Sequence, residues 1–333
     1  MPLAPQNPQN IAILGAGIMG LSVAYRLAEA GFPLTIYDPD IAQPRNASSM
    51  AGGMLSPLSE CEHMDTDWIA AGFHGIALWE EISARLSHAI GFHRRGSLIT
   101  AHEQDRYILN RFQAHLPAQF RWHTLSSDKQ RTLEPGLGHH IREILYMETE
   151  AHLNPPLALA ALRQRIQEDG AAILAESIDL QTAQEKHDLV IDCRGMGAAA
   201  DDPDLRGVVG EILIVHNPEC RLTRPVRLMH PRYPLYIVPQ PGDIFLIGAT
   251  MIESGNADPV HSAALRSAME LMGAAYALDK SFAEAKILSL QAGIRPAYPD
   301  NLPRLTVCDR LIRAMIAVAV AGVAAVRVFW HRA

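Results

Sequence analysis

The chain has 333 residues, 48% of them hydrophobic and 20% charged, and a formal net charge of −7 at pH 7. That length exceeds one simple layered core and suffices for two lobes. The acidic balance, with no long basic run, argues against nucleic acid as a partner, and an N-terminus with no positive region before its apolar stretch does not read as a signal peptide.

The first forty residues carry the strongest pattern. "NIAILGAGIMGLSVAYRLAEAGFPLTIYD" predicts a strand over Ile11–Leu14, the turn Gly15-x-Gly17-x-x-Gly20, and a helix with Leu21, Ala24, Leu27 and Ala28 at helical spacing as far as Gly31. A second strand over Leu34–Tyr37 ends on Asp38. Gly15 permits the tight strand-to-helix turn, Gly17 lets the backbone approach a pyrophosphate, and Gly20 lets helix and strand pack closely. The free N–H groups at the helix start then face phosphates. Asp38 is placed to accept hydrogen bonds from a ribose diol. The stretch is a dinucleotide-binding fingerprint. The next segment, "NASSMAGGMLSP", crowds Ala47, Ser48, Ser49, Ala51, Gly52 and Gly53 together. Such a loop can wrap a ligand closely, which an extended flavin dinucleotide needs and a nicotinamide one does not.

"CEHMDTDW" brings Cys61, His63, Asp65 and Asp67 together ahead of a helical pattern from Trp68. Capping of that helix by Asp65 or Asp67 is the expected role, with no metal bound. The fifteen histidines form no H-E-x-x-H, and the four cysteines (Cys61, Cys193, Cys220, Cys308) form no C-x-x-C. The cysteines read as reduced thiols of a cytoplasmic protein. "HDLVIDCRG" is a buried-type strand ending in Gly195, continuing a parallel nucleotide-binding sheet. Residues 208–215 and 235–249 are short β-rich runs separated by Pro and Gly, the signature of an antiparallel sheet.

Jointly, "ILGAGIMGLSVAYRLAEAG", "ASSMAGGMLSP", "LSSDKQRTLEPGL", "DLVIDCRGMGA", "LRGVVGEILIVH", "YPLYIVPQPGDIFLIGATMIESG" and "LQAGIRPAYPDNLPRL" resemble segments of the D-amino-acid oxidase superfamily of FAD proteins, most closely the glycine oxidases of thiamine biosynthesis. The resemblance implies an α/β fold in which an FAD-binding Rossmann-like domain of the glutathione-reductase type (residues 1–85, 150–205 and 286–333) interleaves with an α+β substrate domain built on an antiparallel sheet (86–149 and 206–285). It implies FAD as cofactor, held by Gly15, Gly17, Ile18, Met19, Gly20, Asp38, Pro39, Ala47, Ser48, Ser49, Gly52, Gly53, Met54, Ile178, Cys193, Arg194 and Gly195.

The activity implied is oxidative deamination of glycine or a small amino acid, with the Cα hydrogen leaving as hydride to flavin N5, and an imine available for thiazole assembly. Arg295 matches the family's carboxylate-binding arginine, and guanidinium geometry suits that task. Tyr236 matches the tyrosine whose hydroxyl approaches the same carboxylate. Tyr233 is a weaker neighbour, and His230 and Arg232 read as solvated or structural. Molecular oxygen or another electron acceptor would reoxidise the flavin, and homo-oligomerisation is left open. The competing readings are a D-amino-acid or sarcosine oxidase or dehydrogenase of the same fold, or a catalytically impaired flavin-binding remnant.

The remnant reading comes from the tail. After about Ile312 the chain departs from the family pattern into "AMIAVAVAGVAAVRVFWHRA". Thirteen apolar residues, Ala314–Val326, fall short of the roughly 20 that span a bilayer, so a membrane anchor is not expected. A shift of reading frame near Arg313 is the favoured account, and sequencing the source DNA decides it. Weaker FAD retention than in a full-length relative is the expected consequence.

Overall fold

The computed structural model describes residues 8–42, 46–138, 140–231, 235–254, 263–308 and 310–315. Arg232, Tyr233 and the apolar tail beyond Met315, with the expectations attached to them, lie outside those residues.

Two sheets organise the chain. The first is built around β1 (Ile11–Leu14), whose four residues are all buried. β1 pairs in parallel with β2 (Leu34–Tyr37) on one side and with the strand Leu189–Asp192 on the other. Six strands run in the order 304–308, 311–315, 189–192, β1, β2, 172–174. All neighbours are parallel except the outermost pair, Arg304–Cys308 and Leu311–Met315, which is antiparallel. Both flanking partners meet β1, so the chain order reverses there, and in such sheets ligands bind beyond the carboxyl ends of the strands at that point.

α1 (Ile18–Glu29) crosses from β1 to β2. Its apolar face lays Leu21, Ala24 and Tyr25 into a core with Ile13 and Ile36. Each fully buried large side chain there contributes about 1.5–3 kcal/mol relative to exposure. Gly31 follows the helix with a positive φ of 81°. α2 (Thr66–Arg85) starts at Asp65, whose Oδ1 accepts from the N–H groups of Asp67 and Trp68 at 3.1 and 3.0 Å. Asp65 is therefore the cap that the sequence offered together with Asp67.

The second sheet has nine strands. Arg206–His216 is its longest inner element, paired antiparallel with Ile244–Gly248 and with Ile252–Ser254. Lys286–Ala297 also pairs with it, from Arg206 opposite Ala297 to His216 opposite Lys286. The sequence reading opened the last nucleotide-binding segment at residue 286, whereas this strand is hydrogen-bonded into the antiparallel sheet. The physical reason is a ladder of backbone hydrogen bonds that a strand-type sequence pattern cannot assign to a partner in advance. The chain then joins the parallel sheet through Arg304–Cys308 and Leu311–Met315.

A buried ion cluster ties the last described strand to its neighbour. Asp192 is fully buried, and its carboxylate accepts from Arg194 Nε and Nη2, both at 2.9 Å, and from Arg313 Nε at 3.0 Å. Burial pushes its pKa up, but the hydrogen bonds and charge of Arg194, with those of Arg313, outweigh burial and hold it below the ordinary carboxylate value. A depressed carboxyl contributes stability that is present above the unfolded value near 4 and is lost as the pH falls through the folded value. Asp192→Asn is expected to cost about 1–3 kcal/mol at pH 7, because it removes a buried charge that accepts from two half-buried guanidiniums, each of which keeps a second acidic partner. In urea denaturation, the gap between variant and wild type should narrow as the pH drops below about 4. A gap that stays constant with pH would sink this account.

Candidate cofactor and substrate site

One cavity of about 660 Å³ opens at the carboxyl end of β1 and reaches into the antiparallel sheet. At one end the glycine turn forms its wall. Gly15 has φ +98°, and a Cβ there would lie 2.6 Å from the Cys193 carbonyl oxygen. Gly20 faces the turn itself, where a Cβ would meet the Gly15 oxygen at 1.9 Å. Gly15 thus lines the cavity while Gly20 packs behind it, the division of labour expected of this motif.

The first helical turn has no cap from its own chain segment. Ser48 supplies one from the following loop: its Oγ accepts from Ile18 N–H at 2.9 Å. Asp38 closes the same corner, since one carboxylate oxygen accepts from Ala16 N–H at 2.7 Å and the other from Asp40 N–H at 2.9 Å. Glycine turn, small-residue loop and acid are thereby locked together before any ligand enters.

Most of the residues expected at the cofactor converge on this wall. Gly15, Gly17, Ile18 and Met19 line it from the turn, and Asp38 and Pro39 from the end of β2. Ala47, Ser48, Gly52, Gly53 and Met54 line it from the loop, and Ile178, Cys193, Arg194 and Gly195 from the far side. Ser49 is not part of the lining: its N–H donates to Asn46 Oδ1 and its hydroxyl to the Asn46 carbonyl, each at 2.9 Å, which turns it into the loop's own bend. Arg194 reaches the wall with its guanidinium engaged by Asp192 and, at 2.7 Å, by Asp201. Burial pushes the Cys193 thiol pKa up, and that of Cys61 up to about 12, so both stay protonated at neutral pH. All four cysteines are free.

At the other end stand Arg295 and Tyr236. Arg295 lies opposite Val208 in the ladder, and its guanidinium lies against Gly210, where a Cβ would come within 2.9 Å of Nη2 and 3.1 Å of Nε. Nη2 donates to the Thr250 carbonyl at 3.0 Å, while Nε is buried with no hydrogen-bond partner among the described residues. A buried donor without a partner costs about 1–3 kcal/mol. A carboxylate in the cavity would remove that cost with a charge-assisted bond. Tyr236 is pressed against Gly52 and Gly248, whose Cβ positions would come within 2.8 and 2.9–3.1 Å of neighbouring groups, the ring and hydroxyl among them. Burial pushes its phenol pKa up, with Arg295 lowering it and Glu60 raising it, so the hydroxyl remains a donor.

Sequence reasoning did not pick out Glu60, Arg227, Glu176 or Gly210, all of which line the cavity. Glu60 adjoins the "CEH" stretch that was weighed only for metal and capping. Arg227 sits in the strand Val226–Met229 with no motif around it. Among the described residues no group of His, Cys, Asp or Glu is arranged to hold a metal ion, and no helix is long and apolar enough to cross a membrane.

The glycine cradle, the small-residue loop and a long cavity lined by a guanidinium whose Nε lacks a protein partner among the described residues fit a dinucleotide with an anionic group beside it. A parallel nucleotide-binding sheet joined to an antiparallel sheet through one shared cavity defines a flavin-dependent oxidoreductase. The chain matches the DAO family, FAD dependent oxidoreductases, over residues 10–319, and belongs to it. FAD is its cofactor. It is 41% identical over 296 residues to the Rhizobium etli protein named as a thiamine biosynthesis oxidoreductase, ThiO, covering 89% of this chain and 86% of that one. It is 28% identical over 323 residues to a glycine oxidase of Geobacillus kaustophilus, covering 89% and 83%. The crystal structure of glycine oxidase from Geobacillus kaustophilus superposes with a TM-score of 0.82 at 23% identity, over 97% of this chain and 92% of that one.

Proposed function

We propose that this protein oxidises glycine or a similarly small amino acid at Cα, with molecular oxygen as electron acceptor, and that the imine produced serves thiamine thiazole synthesis. The similarity to ThiO supports the pathway. The observation that carries the chemistry is Arg295, whose buried Nε lacks a partner at the end of the cavity that begins at the glycine turn. When bound, FAD supplies the two-electron acceptor for the Cα hydrogen. Arg295 holds the substrate carboxylate through its planar fork. Tyr236 adds a neutral hydroxyl donor to the same carboxylate. Thr250, by accepting from Arg295 Nη2, fixes the plane of that fork. Gly210 and Gly52 leave room for these side chains to lie flat against the backbone. At the other end we assign the adenylate ribose to Asp38 and the phosphates to the start of α1, as the locked geometry there supports.

We also propose a division into nucleotide and substrate units that follows the two sheets, with Lys286–Ala297 in the substrate unit, and a cytoplasmic location, supported by the free cysteines.

The test is the flavin spectrum of the purified chain under anaerobic conditions. Glycine and sarcosine should bleach the oxidised flavin bands, and readmitted oxygen should restore them with one peroxide formed per turnover. Bulky D-amino acids should bleach the bands more slowly. Flavin that is present yet unchanged by glycine, sarcosine and D-amino acids alike would overturn the proposal. Faster bleaching by bulky D-amino acids would favour a D-amino-acid oxidase instead.

A further inference from the structure

An amino acid presents two heads, and Arg295 with Tyr236 accounts for only one. The cavity wall carries four carboxylates, at Asp38, Asp40, Glu176 and Glu60. The first three gather at the end of β2 and just beyond the neighbouring strand Ala172–Leu174. Glu60 stands apart, in the segment between β3 (Met54–Leu55) and α2, and it pairs with Arg227, which lies directly opposite Tyr236 in the antiparallel ladder. Arg295, Glu60 and Tyr236, one cationic, one anionic and one a neutral donor, all line this cavity.

Glu60 is held in place. The residue before it, Ser59, donates from its N–H and its hydroxyl to the two oxygens of the fully buried Glu150, each at 2.7 Å. The residue after it, Cys61, donates from its N–H to the Leu58 carbonyl at 3.2 Å. Arg227, its side chain only 6% exposed, places Nη1 3.3 Å from Glu60 Oε1, with the Phe112 ring 5.9 Å from the guanidinium carbon. Glu60 makes no hydrogen bond among the described residues, and its side chain is 22% exposed. A carboxylate held by an ion pair, with neither oxygen hydrogen-bonded to the protein among the described residues, is an acceptor available to an N–H.

We propose that Glu60, positioned by Arg227, accepts a hydrogen bond from the substrate's amino group. This rests on the amino-acid reading above and deepens it. Holding carboxylate and nitrogen at once leaves Cα little freedom to turn, and in that way two contacts fix the direction of the Cα–H bond. The contact needs an N–H, so the site takes primary and secondary α-amino acids. A tertiary amine such as N,N-dimethylglycine has no N–H in its neutral form and is refused.

The test compares a ligand that has the amine with one that lacks it. The apparent dissociation constant of glycine is read from rapid anaerobic mixing, and that of acetate from its perturbation of the oxidised flavin spectrum, in wild type, Glu60→Ala and Glu60→Gln. Loss of a hydrogen bond to a charged group should lower the preference for glycine over acetate by about 10- to 100-fold in Glu60→Ala, with acetate binding retained as the sign of an intact fold. Arg227→Met should lower the same preference to a smaller degree. Equal weakening of both ligands, or an unchanged preference, would overturn the assignment of Glu60 while leaving glycine oxidation standing. Wild-type protein that binds acetate but neither binds nor oxidises glycine would overturn both.

Discussion

Arg295→Met should raise the KM for glycine by two to three orders of magnitude while the flavin stays bound. Removing one member of a buried, hydrogen-bonded charge pair costs about 2–5 kcal/mol, and about 1.4 kcal/mol is tenfold in affinity. The geometry places this case in the middle of that range or above it. The guanidinium lies against Gly210, gives Nη2 to Thr250, and keeps Nε buried without a protein partner. Arg295 also lines the cavity itself. Arg295→Lys should recover only part of the loss, because an ammonium is a point charge and cannot reproduce the fork. Acetate should lose affinity in parallel with glycine, since both offer the same carboxylate. Unchanged KM and unchanged acetate binding in Arg295→Met would remove the substrate assignment and with it the function proposed above.

Gly15→Ala should strip the protein of FAD and lower its melting temperature together. The backbone at Gly15 holds φ +98°, outside the range that residues with a Cβ ordinarily adopt, which by itself costs about 1–3 kcal/mol. The added methyl would also sit 2.6 Å from the Cys193 oxygen and 3.0 Å from the Arg194 Cα. Both neighbours are backbone, so β1 and the strand Leu189–Asp192 must move apart, at the place where the phosphates are assigned. Gly31→Ala provides the comparison. It too has a positive φ, of 81°, but nothing lies within 4 Å of the added carbon. It should cost only the backbone strain and leave the flavin-to-protein ratio at the wild-type value. If both variants lose flavin equally, strain alone explains the result and the close approach at Gly15 carries no special weight.

The nucleotide-binding corner was readable in the linear chain because its determinants are local. Strand, turn, helix and second strand follow one another within thirty residues. Their hydrophobic period, glycines and terminal acid specify the turn before any distant contact exists. The β-rich runs of the second sheet were legible for the same reason, as was the cap at Asp65. Arg295 and Tyr236 were reached only through the resemblance, since an arginine before a proline and a tyrosine in a β run carry no chemistry of their own.

What the chain order could not express is which distant segments meet. Residues 286–297 enter the sequence reading only through the resembling segment "LQAGIRPAYPDNLPRL", and the eleven-rung ladder with Arg206–His216 is what places them in the antiparallel sheet. Ser48 reads as a ligand donor in sequence, and folding turns its hydroxyl onto Ile18 N–H. Ser49 reads the same way and is drawn into its own bend by Asn46. Glu60 and Arg227 are 167 positions apart and carry no shared motif; their ion pair forms because a loop after β3 packs against the strand Val226–Met229. Local propensity and turn chemistry thus determined the cofactor corner from sequence alone. Tertiary packing decided the substrate end, because charge, burial and hydrogen-bond need are properties of the assembled neighbours and not of any one segment.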